Sequence, residues 1–224
     1  MRIAVVANSQ GTATGVQPEE AYPERLRALL APEHEVIPYA VSGWAIRDFN
    51  EHVAEVLALK PDLVVLQVGI VECSRRILSA REKRVLGRIR GSARLTKWLH
   101  GRRQTVIVWR SRLRIDTRLY AVPEFAEEVE RLLLALRAAA VDVLVLETPQ
   151  FGSGYERLHF PLINEDIELF NRVLRRHGSV AMLAPGDDAE TIWQTGTVHF
   201  DTEGHRLVAE RLAARLSRRD AVVA

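Results

Sequence analysis

Short continuous apolar runs recur along this chain, and amphipathic segments separate them. The first run, Ile3 to Ala7, shows no polar alternation and ends at the turn-like residues 8–11, so we expect an interior strand buried on both faces. Similar runs predict further strands at His34–Tyr39, Leu63–Val68, Thr105–Trp109, Val141–Leu146 and Ser179–Leu183. Apolar residues at helical spacing predict helices at Pro23–Leu30, Ile46–Leu59, from Pro123 onward, Asn164–Arg176 and Glu203–Leu216.

This alternation of strands and helices restricts the architecture. Right-handed crossovers between such strands give a parallel sheet that helices cover on both faces. We therefore expect a three-layer α/β sandwich with a mainly parallel, five-stranded sheet. No repeat or linker divides residues 1–224, so we expect a single domain. The ligand crevice of such sheets lies at the carboxyl ends of the strands, where irregular loops occur at Gly11–Ala21, Val71–Leu78, Gln150–Leu162 and Pro185–Val198.

Composition excludes several classes of protein. With 47% hydrophobic and 27% charged residues in 224, the chain is neither disordered nor fibrous. Its single cysteine, Cys73, excludes an internal disulfide and a zinc site that needs two thiolates from this chain. The first apolar run is too short for a signal peptide, and no stretch approaches the ~18 apolar residues of a membrane span. We expect a cytoplasmic protein without a membrane partner, a metal or a cofactor.

Charge is distributed unevenly. Residues Arg75 to Arg118 contain 15 Lys and Arg against two acids, a net charge of +13, and the rest of the chain carries −11. Such a block either attracts an anion or forms a solvated face, and both interpretations stay open. The candidate contacts for an anionic ligand are Arg75, Arg76 and Arg110. Nucleic-acid binding through this stretch is a weaker alternative, since no nucleic-acid-binding motif accompanies it.

Two polar residues far apart in the sequence are expected at the crevice. Ser9 stands two residues past the first strand, in a loop that a helix follows. His199 stands just before the final helix. A histidine in that position is well placed to act as general base for a serine presented from the first strand.

Four stretches of the chain resemble the sequence blocks of the SGNH hydrolases, also called GDSL-type esterases and lipases. The stretches are Ala7–Gln10 with Ala21–Leu26, then Val41–Trp44, Val65–Glu72, and Val198–Phe200 with Gly204–Ala209. The resemblance implies a flavodoxin-like α/β fold. It also implies that Ser9 is the nucleophile and His199 the catalytic base. The backbone N–H groups of Ser9 and Gly43 would then stabilise the oxyanion.

Two positions depart from the pattern of that family. Val71 stands where the family has an asparagine that binds the oxyanion, and valine donates no hydrogen bond. Gly196 stands where the family has the aspartate that orients the histidine. A backbone carbonyl or another carboxylate would have to replace that aspartate, and the nearby carboxylates are Asp187, Asp188, Asp201 and Glu203.

Glu72, directly after Val71, has two interpretations. It either faces the crevice as a substrate contact or pairs with Arg75 or Arg76.

The function expected from the sequence is that of a serine hydrolase or acyl transferase. Ser9 and His199 would act on the ester bond of a small, anionic molecule. The alternative is an SGNH-like domain that has lost esterase activity and binds an anionic small molecule. The sequence sets neither the acyl group, the alcohol, nor the oligomeric state.

Overall fold

A parallel sheet forms the centre of the molecule. The computed structural model describes residues 1–79, 82, 85, 86, 88, 97–99, 101–154, 156, 160–183 and 192–223. In this part of the chain the sheet has five strands in the order β2-β1-β3-β4-β5, all parallel. The strands are β1 (Arg2–Ala7), β2 (Glu35–Ala40), β3 (Leu63–Gln67), β4 (Asp142–Glu147) and β5 (Val180–Ala181).

The first strand lies inside this sheet, as its apolar run predicts. Val5 aligns with Pro38 of β2 on one side and with Val65 of β3 on the other. Residues Ile3–Ala7 are at most 2% exposed, because neighbouring strands cover both edges and helices cover both faces. The predicted three-layer α/β fold with a mainly parallel five-stranded sheet is confirmed.

Helices cover the two faces of the sheet. They are α1 (Tyr22–Leu30), α2 (Ile46–Glu51), α3 (Val53–Ala58), α4 (Ile70–Cys73), α5 (Arg103–Arg112), α6 (Val122–Ala138), α7 (Ile163–Arg175) and α8 (Thr202–Val223). Helix α1 packs against α8, whereas α6 packs against α2, α3 and α7. Pro123 lies in the first turn of α6, where its missing N–H group costs no helical hydrogen bond.

Two predicted elements differ from the structure. The predicted strand Thr105–Trp109 is part of helix α5, because Ile107 is the one buried residue of that run and the burial is therefore one-sided. Helix α5 instead buries Ile107 against Ile77 and Leu78 and leaves Trp109 59% exposed. The predicted helix Ile46–Leu59 is divided into α2 and α3 at His52.

Candidate active site

A cavity of about 580 Å³ opens at the carboxyl ends of the strands. Ser9 reaches it from the turn after β1, and Ser42 and Gly43 reach it from the turn after β2. Residues of α4 and of the segment after it form one wall, and α5 forms another. Residues 160, 161 and 163 and the loop Gly196–His199 complete the lining. The crevice therefore lies where parallel-sheet topology predicts it.

Ser9 begins a short 3-10 turn directly after β1. The Asn8 side chain caps this turn, because its Oδ1 accepts a hydrogen bond from the Gln10 backbone N–H group at 3.2 Å. The Ser9 carbonyl oxygen accepts a hydrogen bond from the Thr12 hydroxyl at 2.8 Å. These contacts fix the backbone of Ser9, whose side chain lines the cavity with the residue only 7% exposed.

The loop that carries His199 is held from both sides. Trp193 and Phe200 form an isolated antiparallel bridge, and their rings stack with centroids 4.7 Å apart. The Gln194 backbone N–H group donates to the His199 carbonyl oxygen at 3.0 Å. Because Phe200 is fully buried in the core, its neighbour His199 is fixed at the edge of the cavity.

Ser9 and His199 line the same cavity, although 189 positions of sequence separate them. Within the described part of the chain, no hydrogen bond joins the Ser9 hydroxyl to the His199 ring. Burial lowers the pKa of His199 below its ordinary value of 6.5. The imidazole is therefore neutral at pH 7, which is the form that accepts a proton.

Backbone donors for an oxyanion are present beside Ser9. Gly43 has a φ of +81°, a conformation that favours glycine, and it lines the cavity. Neither the Ser9 nor the Gly43 backbone N–H group donates to another described residue. Val71 also lines the cavity, so the side chain that replaces the family asparagine contributes an apolar surface there.

Glu72 lies beneath this wall rather than in it. It is fully buried and does not line the cavity, so the predicted substrate contact is wrong. Its carboxylate accepts hydrogen bonds from the backbone N–H groups of Ile46 at 2.6 Å and Gly69 at 2.8 Å. Burial raises the pKa of Glu72 to about 7, while these backbone hydrogen bonds act in the opposite direction. The side chain thus joins the start of α2 to the start of α4.

Two of the three predicted arginine contacts have internal partners. Arg75 lines the cavity, but its guanidinium forms a buried ion pair with Asp166 at 2.7 Å and donates to the Ile115 carbonyl oxygen at 3.0 Å. Arg110 does not line the cavity, and its guanidinium pairs with Glu82 at 2.8 Å. The prediction that Arg110 contacts a ligand in this cavity is therefore wrong.

The alternative interpretation pairs Glu72 with Arg75 or Arg76. Arg75 pairs with Asp166 instead. Burial lowers the pKa of Arg76 and the charge of Glu72 acts in the opposite direction, although no ion pair of the described residues joins these two side chains.

The remaining arginine, Arg76, lines the cavity together with Arg103 at the start of α5. Sequence reasoning missed Arg103, because the prediction of a strand at Thr105–Trp109 does not place Arg103 on the same side of the element as the residues four and eight positions further on. Arg103, Ile107 and Ser111 follow one another at four-residue spacing and all line the cavity. A helical interpretation of the basic stretch would have found that face.

No carboxylate from the described residues orients the His199 ring. Asp201 accepts a hydrogen bond from the Gly204 backbone N–H group at 2.8 Å and so caps α8. Glu203 pairs with Arg206 on the surface. The remaining candidates, Asp187 and Asp188, lie outside the described residues. Gly196 has a φ of +72°, and an aspartate there would adopt a backbone conformation that costs about 1–2 kcal/mol.

Solved structures that are similar to this chain include esterases and an acylhydrolase. A lipase/acylhydrolase from Enterococcus faecalis matches with a TM-score of 0.63 and 17% identity, over 97% of this chain and 96% of that chain. The psychrotrophic esterase EstA from Pseudoalteromonas sp. matches with a TM-score of 0.60 and 13% identity, over 97% of both chains. A carbohydrate acetylesterase family member from Sinorhizobium meliloti matches with a TM-score of 0.62 and 16% identity, over 96% of both. No curated protein sequence matches this chain.

The fold is thus that of the esterases and acylhydrolases, and a family model places the chain in the same class of hydrolases. The family model of the GDSL-like Lipase/Acylhydrolase family matches residues 6–207, and the chain belongs to that family. The resemblance expected from the four sequence blocks is confirmed. Among the described helices, none has the length and apolar composition needed to cross a membrane.

Proposed function

We propose that the protein is a serine esterase or acyl transferase in which Ser9 is the nucleophile and His199 the general base. One observation carries this proposal: Ser9, Gly43 and His199 come from three separate loops and line a single cavity. The neighbouring structure of the esterase EstA, which is described as inhibited by monoethylphosphonate, lends support.

In the first half of the reaction, the Ser9 Oγ attacks the carbonyl carbon of the ester while the His199 ring takes the hydroxyl proton. Negative charge develops on the carbonyl oxygen, where the backbone N–H groups of Ser9 and Gly43 stabilise it. The tetrahedral intermediate then loses the alcohol oxygen, which receives its proton from His199. The product of this half is an acyl group bound to Ser9.

In the second half, water or an acceptor alcohol attacks the acyl carbon and gives its proton to His199. The Ser9 oxygen leaves and recovers the proton, and the free acid or the new ester departs. Without a side-chain donor at Val71, the backbone N–H groups carry the oxyanion stabilisation. A single lost donor costs about 2.7–4 kcal/mol in other serine enzymes, so the enzyme is expected to be slow.

The proposed substrate is a small anionic ester. Arg75, Arg76 and Arg103 line the cavity, and none of the described lining residues is an Asp or Glu. A cavity lined by one sign of charge concentrates ligands of the opposite sign. Turnover of an anionic ester is therefore expected to fall as salt concentration rises, whereas turnover of a neutral ester is not.

Covalent labelling tests the proposal. A fluorophosphonate probe is expected to label the wild-type protein once per chain and to leave Ser9→Ala unlabelled. Ser42→Ala is the matched control, because Ser42 lines the same cavity and its loss should leave labelling unchanged. His199→Gln should slow labelling by roughly 10²–10⁴-fold, as for a lost general base. Full labelling of Ser9→Ala would overturn the proposal.

A further inference from the structure

Two arginines line the cavity and lie outside the ion pairs of the described residues. These arginines are Arg76 and Arg103, and no ion pair of the described residues includes either of them. The Arg76 Nη2 donates to the Val71 carbonyl oxygen at 3.3 Å, and its buried Nε has no hydrogen-bond partner in the part of the chain that the structure describes. The charge of Glu72 acts on Arg76, but no ion pair of the described residues joins the two, and the Glu72 oxygens accept hydrogen bonds from backbone N–H groups.

These two guanidinium groups repel each other. Burial, and next to it the positive charge of Arg103, lowers the pKa of Arg76, and the smaller effect of the Glu72 charge opposes them only in part. Holding like charges together at a half-buried position is unfavourable unless an anion offsets the repulsion. In Arg75, by contrast, the charge is already offset by Asp166 at 2.7 Å.

The same wall of the cavity carries a buried hydroxyl group. Ser111 lies two turns beyond Arg103 on α5, lines the cavity and is 1% exposed. Its Oγ has no hydrogen-bond partner among the described residues. Buried hydroxyl groups are nearly always hydrogen-bonded, so an unpartnered one beside a cavity points to a ligand or a water there.

We propose that Arg76 and Arg103 form a subsite for a phosphate monoester group, so that the ester cleaved at Ser9 belongs to a phosphorylated small molecule. This assignment of substrate class rests on the proposed function. A carboxylate carries one negative charge, and a single arginine side chain can pair with both of its oxygens. A phosphate monoester carries about −1.5 to −2 at pH 7 and has three acceptor oxygens, which suits two unpaired guanidinium groups.

The test measures binding of inorganic phosphate by isothermal titration calorimetry at constant ionic strength. The protein is the full chain carrying Ser9→Ala, so the result does not depend on catalysis. Phosphate is expected to bind saturably and at least about tenfold more tightly than acetate. Arg103→Gln should weaken phosphate binding by roughly tenfold to a hundredfold, the loss expected for a hydrogen bond to a charged group.

The matched control is Arg112→Gln, which removes the same charge from the same helix outside the cavity. It should leave phosphate binding unchanged. Arg76→Gln should weaken binding as Arg103→Gln does. If Arg76→Gln fails to fold, Arg103→Gln decides the matter, because Arg103 is exposed and its replacement leaves no buried group unpaired.

Two results would overturn the subsite. One is the absence of saturable phosphate binding, and the other is an equal loss in Arg103→Gln and Arg112→Gln, which would indicate attraction by overall charge. Either result leaves fluorophosphonate labelling of Ser9 untouched. Conversely, phosphate binding without Ser9 labelling would preserve the anion site and refute the esterase mechanism.

Discussion

The Gln10 side-chain amide donates a hydrogen bond to the Val198 carbonyl oxygen at 3.2 Å. This contact joins the residue after Ser9 to the residue before His199, across 188 positions of sequence. The Gln67 amide in turn donates to the Gln10 Oε1 at 2.8 Å, so β3 supports the same side chain. A fully buried amide pair therefore sets the position of the histidine loop relative to the serine turn.

Gln10→Leu is expected to separate these two loops without changing either proposed catalytic side chain. We expect kcat to fall by about tenfold to a hundredfold with little change in KM, since misplacement by about 1 Å can cost 10²-fold. The rate of fluorophosphonate labelling at Ser9 should fall in parallel. Gln67→Leu, which removes only the support from β3, should have the smaller effect. A folded Gln10→Leu protein with wild-type labelling would contradict this role.

The pH dependence of catalysis should follow the His199 ring. Burial disfavours the imidazolium, so the pKa of His199 lies below 6.5 and the ring is neutral above that pKa. Because the neutral form is the base, log(kcat/KM) should rise with pH and level off with a midpoint below 6.5. Steady-state rates between pH 4.5 and 8 measure it. A midpoint above 6.5 would show that an anionic neighbour controls the ring.

The sequence predicted the sheet and the placement of the loops better than it predicted ionic partners. The uninterrupted apolar run Ile3–Ala7 predicts β1 correctly, because a run without polar residues indicates a strand that is buried on both faces. The sequence also predicts Ser9 and His199 at one crevice, because the loops that follow parallel strands lie at the same edge of the sheet. Both residues line the cavity.

The ionic partners depend on contacts that sequence patterns do not encode. The ion pair between Arg75 and Asp166 joins residues 91 positions apart in the sequence, and the ion pair between Arg110 and Glu82 joins residues 28 positions apart. Helix α5 was mistaken for a strand for the same reason. A short apolar run is compatible with a strand or with a buried helical segment, and here the contacts of Ile107 with Ile77 and Leu78 accompany the helix.

The buried ion pair between Arg75 and Asp166 should matter for stability rather than for ligand binding. Their side chains are 11% and 3% exposed, so Arg75→Gln leaves the Asp166 carboxylate buried without its main partner. We expect a loss of about 3–5 kcal/mol in the free energy of unfolding. Arg103→Gln, on an exposed residue that forms no ion pair with the other described residues, should change it by less than about 0.5 kcal/mol. Urea unfolding of both variants makes the comparison, and equal losses would contradict it.

Acid sensitivity of the fold should trace to His205. Its Nδ1 accepts a hydrogen bond from the Tyr22 backbone N–H group at 3.1 Å, and the residue is 1% exposed. Burial, with a smaller contribution from the charge of Arg25, lowers the pKa of His205 to about 4. The folded state therefore binds fewer protons than the unfolded state between pH 4 and 6.5. The contribution of the neutral His205 ring to the free energy of unfolding is fully present above pH 6.5, and it is lost as the pH falls towards 4.

The variant that isolates this effect is His205→Asn, which keeps an acceptor for Tyr22 and removes the titrating ring. The pKa of Glu72, raised to about 7, acts in the opposite direction, because a protonated buried carboxyl stabilises the fold as the pH falls from 7 to 4.5. Because the contributions of His205 and Glu72 oppose each other, the pH dependence of wild-type stability alone reveals neither of them. The measurement is therefore the difference in unfolding free energy between wild type and His205→Asn at each pH. At pH 7 the variant should be less stable. By pH 4 that difference should shrink by about 3 kcal/mol, at ~1.36 kcal/mol per unit of pKa shift. A difference that stays constant from pH 7 to pH 4 would show that His205 does not titrate in this way.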